Sequence, residues 1–210
     1  MGEKTAGQLL KDKLFLEIPH IATVNPQQIK EANDFCEGYK VFLDKGKTER
    51  ECVTYAVEKL QAAGYVLFDV KAKYVAGDKV YFVNRNKAVI ATTFGTKPLE
   101  EGIRLNISHV DSPRLDLKPN PVYENKDIAY FKTHYYGGIK KYQWSCIPLA
   151  IHGVFVKKDG TTVNISIGEE ANDPVFVISD LLPHLASEQN KRTLSDGIKG
   201  EELNVIVGSI

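Results

Sequence analysis

Long apolar runs are missing from this sequence. No stretch approaches the roughly 18 residues of a membrane span, and the opening Met-Gly-Glu-Lys-Thr-Ala-Gly has no apolar signal core. An excess of one charge sign is missing too. Lys and Arg number 27 and Asp and Glu number 27, for a net charge of zero. That balance argues against nucleic acid or an anionic membrane as the main partner. It also gives little electrostatic protection against self-association. Cysteine is scarce and odd in number. Cys36, Cys52 and Cys146 are scattered without C-x-x-C spacing, so neither a disulfide framework nor a zinc–thiolate site is predicted, and a reducing, cytoplasmic setting is expected. A Gly-x-Ser-x-Gly nucleophile elbow and a phosphate-binding loop are also absent. What is present is ordinary for a globular protein: 43% hydrophobic and 26% charged residues in a chain of 210, enough for one large domain or two small ones.

The pattern divides the chain. Residues 1–24 mix a Lys-rich helical stretch with Phe15, Leu16 and Ile18, then break at Pro19. Asn25-Pro26 starts a helix that runs to about Asp44, with Asn25 as N-cap and Pro26 at the first helical position. Thr48-x-x-Glu51 is a capping box for a second helix, which Gly64 stops. The apolar stripes of both helices read as core rather than as a cofactor site. Strands are predicted at 65–70, at 79–83 and 87–94 around an Asn84-Arg85-Asn86 turn, and at 103–109. Helices, a hairpin and a buried strand predict α/β layering with a mixed sheet. Asn120-Pro121 reads as a linker. Beyond it lie predicted strands at 128–136, 151–157, 161–167, 175–178 and 203–207, one helix at 180–188, and a polar, mobile loop at 190–202.

Chemistry concentrates where the 103–109 strand ends. Ile103, Leu105, Ile107 and His109 share one phase of a period-two pattern. Asp111-Ser112-Pro113 then turns the chain. Residues i and i+2 of an extended chain leave the same face. A metal-binding His needs an acceptor on its other ring nitrogen, so His-x-Asp at a strand end supplies a ligand and its orienter together. The alternative is a strand-end histidine bonded to a neighbouring loop.

The wider string Ser108-His109-Val110-Asp111-Ser112-Pro113-Arg114-Leu115-Asp116-Leu117-Lys118-Pro119 resembles the His-x-Asp-Ser-Pro segment of the aspartyl aminopeptidase family, which includes vacuolar aminopeptidase I. The resemblance extends more loosely over most of the chain. It implies a two-zinc exopeptidase in which His109 ligates zinc and Asp111 orients it. It implies an α/β fold: the first part of a mixed-sheet, zinc-exopeptidase-like catalytic domain at 1–118, then an incomplete β-rich inserted domain at 119–210 that drives dimers into larger homo-oligomers. It also implies peptide substrates, shortened from the N-terminus. Tyr136-Gly137-Gly138-Ile139, with Trp144 close behind, matches a string of the inserted domain. The histidine that aspartyl aminopeptidases carry just after Gly-Gly-Ile is replaced by Lys140, Lys141 and Tyr142, which puts the acidic-substrate preference in question.

A complete two-metal site wants ions about 3.5–4 Å apart, a bridging carboxylate and a Glu base. The family pattern places those after the inserted domain. Glu169-Glu170 and Glu201-Glu202 lack its strand-end context and read as solvated acidic pairs. His20, His134, His152 and His184 read as surface or packing histidines. The expectation is therefore a zinc aminopeptidase of which this chain holds the first part of the site and is inactive alone. Two rivals stay open. One is a non-catalytic assembly or regulatory module derived from such a peptidase. The other is a different hydrolase built from His109, Asp111 and one Glu pair.

Overall fold

The computed structural model describes residues 4–16, 18–20 and 25–209. Part of the stretch expected to break at Pro19, residues 17 and 21–24, lies outside them. The chain divides into two units, Met1–Lys45 and Gly46–Ile210.

The first unit carries two helices. α1 (Ala6–Leu14) starts at Thr5, whose hydroxyl accepts the Gln8 N–H while Gln8 bonds back to the Thr5 N–H. α2 (Pro26–Lys45) starts as its sequence predicts, with Asn25 Oδ1 accepting the Gln28 N–H at 3.2 Å. Neither helix holds a fully buried residue, and Cys36 on α2 is exposed.

The second unit opens with α3 (Glu49–Ala62). Its capping box is complete: Thr48 Oγ1 accepts from the Glu51 N–H, and the Glu51 carboxylate accepts from the Thr48 N–H at 2.8 Å. Gly64, at φ +84°, turns the chain out of the helix. α3 lies on a small mixed sheet. β1 (Val66–Leu67) runs parallel to β2 (Lys79–Asn84), and β2 is antiparallel to β3 (Ala88–Thr93). Cys52 and Val53 of α3 and Val80 and Tyr81 of β2 are buried there. Burial pushes the Cys52 thiol up, and Glu51 and Glu49 add to the effect. The β2–β3 turn places Arg85 and Asn86 at positive φ, as a two-residue hairpin tip requires.

A second sheet has the order β4 (Arg114–Asn125), β5 (Ile128–Tyr136), β8 (Val205–Ser209), antiparallel throughout. β6 (Ile151–Val156) and β7 (Thr162–Ile167) form a separate hairpin, turned at Gly160 with φ +85°. The run expected as a strand at 175–178 makes only isolated bridges, Phe176 to Leu149 and Val177 to Ile206. These bridges join the segments around a core of Phe176, Ile178, Ile198, Leu203 and Val205. Leu203 is 0% exposed. Thr133 of β5, the one buried polar residue among those described, donates its hydroxyl to the Leu203 carbonyl.

Three expectations are corrected. Residues 103–109 are not a strand. They have no ladder partner among the described residues, and Ile103, Leu105 and Ile107 stand exposed. Their alternation is real, but a strand exists only where a neighbour takes its backbone groups. Asn120-Pro121 is not a linker. It lies inside β4, where residues 118–121 bulge opposite Lys132, so neither Pro119 nor Pro121 is asked to donate to the ladder. Residues 180–188 form turns rather than a helix. Leu181, Leu182 and Leu185 are exposed, so no apolar stripe is buried to favour the helical period, and only a 3₁₀ turn (Gln189–Lys191) follows. Residues 190–202 form a loop, with turns and two short 3₁₀ segments, and are tied to the body. Ile198 is buried, and Arg192 donates to both carboxylate oxygens of Glu202 at 3.0 and 2.8 Å. No described helix is long and apolar enough to cross a membrane.

Leu203→Ala is expected to cost about 2–5 kcal/mol of unfolding free energy, read as a lower urea midpoint at unchanged slope. Asp173 tests a surface turn. The Gly168 and Glu170 N–H groups, at 2.8 and 3.3 Å, hold its carboxyl below the usual range. A carboxyl depressed in the fold adds stability above its unfolded pKa and loses it as pH falls through the folded value. Asp173→Asn should therefore flatten the acid limb of a stability–pH profile below about pH 4; an unchanged limb would contradict this.

Candidate metal centre

His109 and Asp111 sit on the segment that leads into β4. The two residues touch. His109 Nδ1 lies 2.8 Å from the Asp111 carbonyl oxygen and 3.1 Å from its Oδ1. Both partners are acceptors, so both favour a proton on Nδ1. Nε2 makes no hydrogen bond among the described residues, and the imidazole is 83% exposed. This geometry suits a histidine that binds a metal through Nε2 while a carboxylate holds its other nitrogen.

The second oxygen of Asp111 is taken as well. Tyr136 donates its hydroxyl to Asp111 Oδ2 at 2.8 Å. That bond, helped by the neighbouring backbone and His109, holds the Asp111 carboxyl below the usual carboxylate range, and Asp111 in turn pushes the Tyr136 phenol up. Tyr136 ends β5, opposite Arg114 at the start of β4. The Arg114 guanidinium lies 4.1 Å from the Tyr136 ring centroid. It also donates to Asp116 at 2.7 Å and to Glu49 of α3 at 3.0 Å. Gly137 follows at φ +76° with Pro113 against it; a side chain there would strain the backbone. Neither the Tyr136–Asp111 bond nor the Arg114–Glu49 bond is predictable from spacing. They join residues 25 and 65 positions apart, and only the tertiary fold brings them together.

The other candidates lie elsewhere. His152, expected as a packing histidine, is 12% exposed in its side chain and sits between two carboxylates: Nδ1 is 2.8 Å from Glu51 and Nε2 is 2.8 Å from Glu169. Each ring nitrogen thus faces a carboxylate, and the trio ties α3 to the loop after β7. It is not a metal cage, since the carboxylates occupy opposite ends of one ring. Glu169 is thus engaged rather than merely solvated. In the other acidic pair, Glu201 accepts from Lys118 and Glu202 from Arg192. His134 stacks on Tyr135, with centroids 5.2 Å apart, and His184 lies in an exposed turn. Lys141 holds its ammonium 5.9 Å from the Tyr135 ring. Among the described residues no group of three or more His, Cys, Asp or Glu side chains is arranged to hold a metal ion. The donor chemistry therefore fits one zinc ligand with its orienting acceptor, short of the three protein ligands of a catalytic zinc.

Comparison with known proteins bears on this pair. Residues 42–209 match the model of a family described as aminopeptidase I zinc metalloprotease (M18). A probable M18 family aminopeptidase 1 from Clostridium acetobutylicum is 52% identical over 188 residues, which are 88% of this chain and 40% of that protein. The crystal structure of an M18 aminopeptidase from Thermotoga maritima superposes with a TM-score of 0.84 at 45% identity, over 93% of this chain and 42% of that one. The S. cerevisiae mApe1 dodecamer shares the fold, with a TM-score of 0.63 at 21% identity, over 84% of this chain and 39% of that one. The chain belongs to the M18 family of zinc metallo-aminopeptidases, with the mixed α/β fold of its solved members. It spans about two fifths of the length of those relatives.

Removing the His152 tie should loosen the second unit. His152→Ala leaves Glu51 and Glu169 without their shared donor and is expected to cost about 1–3 kcal/mol in chemical denaturation. A midpoint shift no larger than that of an exposed control such as Lys158→Ala would show the tie to be idle.

Proposed function

We propose that this chain is the first part of a zinc-dependent aminopeptidase that removes N-terminal residues from peptides. His109 would bind zinc through Nε2, and Asp111 would hold the proton on Nδ1 and fix the ring's orientation. The observation that carries this reading is the His109–Asp111 pair, with both acceptors of Asp111 on Nδ1, in a chain of a zinc peptidase family. Bound zinc would supply a water acidic enough to attack a peptide bond near neutral pH. A complete site would hold two such ions, and the remaining ligands and the general base would come from outside the described residues. Alone, the chain would be inactive.

Residues 1–118 would then belong to the catalytic domain and residues 119–210 to an inserted domain that drives homo-oligomer formation. The dodecameric neighbour supports assembly of this kind. The zero net charge and three unpaired cysteines support a cytoplasmic protein that binds neither nucleic acid nor membrane. One observation favours the rival reading of a non-catalytic assembly module: no three-ligand metal group exists among the described residues.

Zinc content per chain after zinc exposure and gel filtration tests the proposal, together with peptidase turnover. The expected result is substoichiometric zinc, lowered further by His109→Ala, and no turnover. Two zinc ions per chain would mean that the missing ligands are present after all. Zinc retention that ignores His109→Ala would remove His109 as a ligand and leave the assembly module.

A further inference from the structure

The segment that presents the candidate metal ligand is not held by a sheet. Residues 103–113 lie outside every strand ladder among the described residues. Two contacts described above fasten the end of this segment: Pro113 against Gly137, and the Tyr136 hydroxyl on Asp111 Oδ2. Only the second is directional. The phenol is itself fixed, because Tyr136 is paired with Arg114 across the β4–β5 ladder and lies under the Arg114 guanidinium, which Glu49 and Asp116 hold. A rigid donor therefore meets a segment with little backbone support of its own.

We propose that Tyr136 is a positioning residue for His109, acting through Asp111. Its hydroxyl engages Oδ2, which leaves Oδ1 and the Asp111 carbonyl to face Nδ1 of His109. The proton stays on Nδ1, and the lone pair of Nε2 is kept for a metal. The significance for zinc rests on the proposed peptidase reading; the positioning itself does not. Tyr136 thereby couples the end of β5, in the proposed inserted domain, to the first ligand of the site.

The test reads the tautomer of His109 directly. The 210-residue chain is labelled with ¹⁵N in its imidazoles, and long-range ¹H–¹⁵N spectra are recorded without metal above the titration range of histidine. His109→Gln assigns the signals. The wild type is expected to be predominantly the Nδ1–H form, although an unconstrained imidazole favours Nε2–H. Tyr136→Phe removes one oxygen and should convert His109 to a majority of Nε2–H. Tyr135→Phe is the control: the same atom is lost one residue earlier, from a ring that lies against Gly200, and the wild-type pattern should persist. An Nδ1–H majority surviving in Tyr136→Phe would overturn the proposal. So would an equal shift in Tyr135→Phe, or an Nε2–H majority in the wild type. Should Tyr136→Phe not fold, the wild type decides: nuclear Overhauser contacts from the Tyr136 ring to the Asp111 β-protons support the bond, and their absence sinks it. Because no metal is present, this test and the zinc measurement fail independently.

Discussion

β5 is hydrogen-bonded along both edges, to β4 on one side and β8 on the other. An antiparallel strand satisfied on both sides cannot shift register without breaking two ladders, so it is the fixed reference for whatever is attached to it. The core is attached at its middle. Thr133 reaches across to the Leu203 carbonyl, and Phe131 packs on the cluster around Leu203. The candidate metal centre is attached at its end, where Tyr136 meets Asp111. One strand thus sets the position of the apolar interior on one face and of a polar network on the other, as the alternation of side chains along a strand allows.

Elements carried by local chemistry were legible in the sequence. The capping box at Thr48, the N-cap at Asn25, the stop at Gly64 and the turn at Arg85-Asn86 all act within a few residues, and each lies where its pattern placed it. Elements that depend on distant partners were not. The alternation at 103–109 was read as a strand although alternation cannot say whether a neighbour exists. β4 was hidden because Pro119 and Pro121 speak against a strand, and only the bulge opposite Lys132 reconciles them with one. Leu181, Leu182 and Leu185 suited a helix in composition, yet no surface buries them. At the site, the contact between His109 and Asp111 follows from their spacing, whereas Tyr136 and Arg114 required the fold.

The carboxylates show how partners change the meaning of a motif. Adjacent acidic pairs invite a metal reading wherever a histidine is near. Here Glu169 is spoken for by His152, Glu201 by Lys118 and Glu202 by Arg192. A carboxylate already engaged by a partner is a poor candidate for a second role, because a metal would first have to displace that partner. The described residues therefore offer one histidine with a free nitrogen and a carboxylate behind it, in a chain spanning two fifths of the M18 relatives it matches.

The distribution of thiols has a practical consequence. Cys36 is exposed in the first unit, Cys146 is exposed in the second, and Cys52 is buried with its thiol pushed up by that burial. Thiolate, not thiol, is the nucleophile, so a maleimide reagent would discriminate against Cys52 without any engineering. The native chain therefore carries one accessible attachment point per unit, and a pair of spin labels on Cys36 and Cys146 would report the separation of the two units, and its spread, in solution.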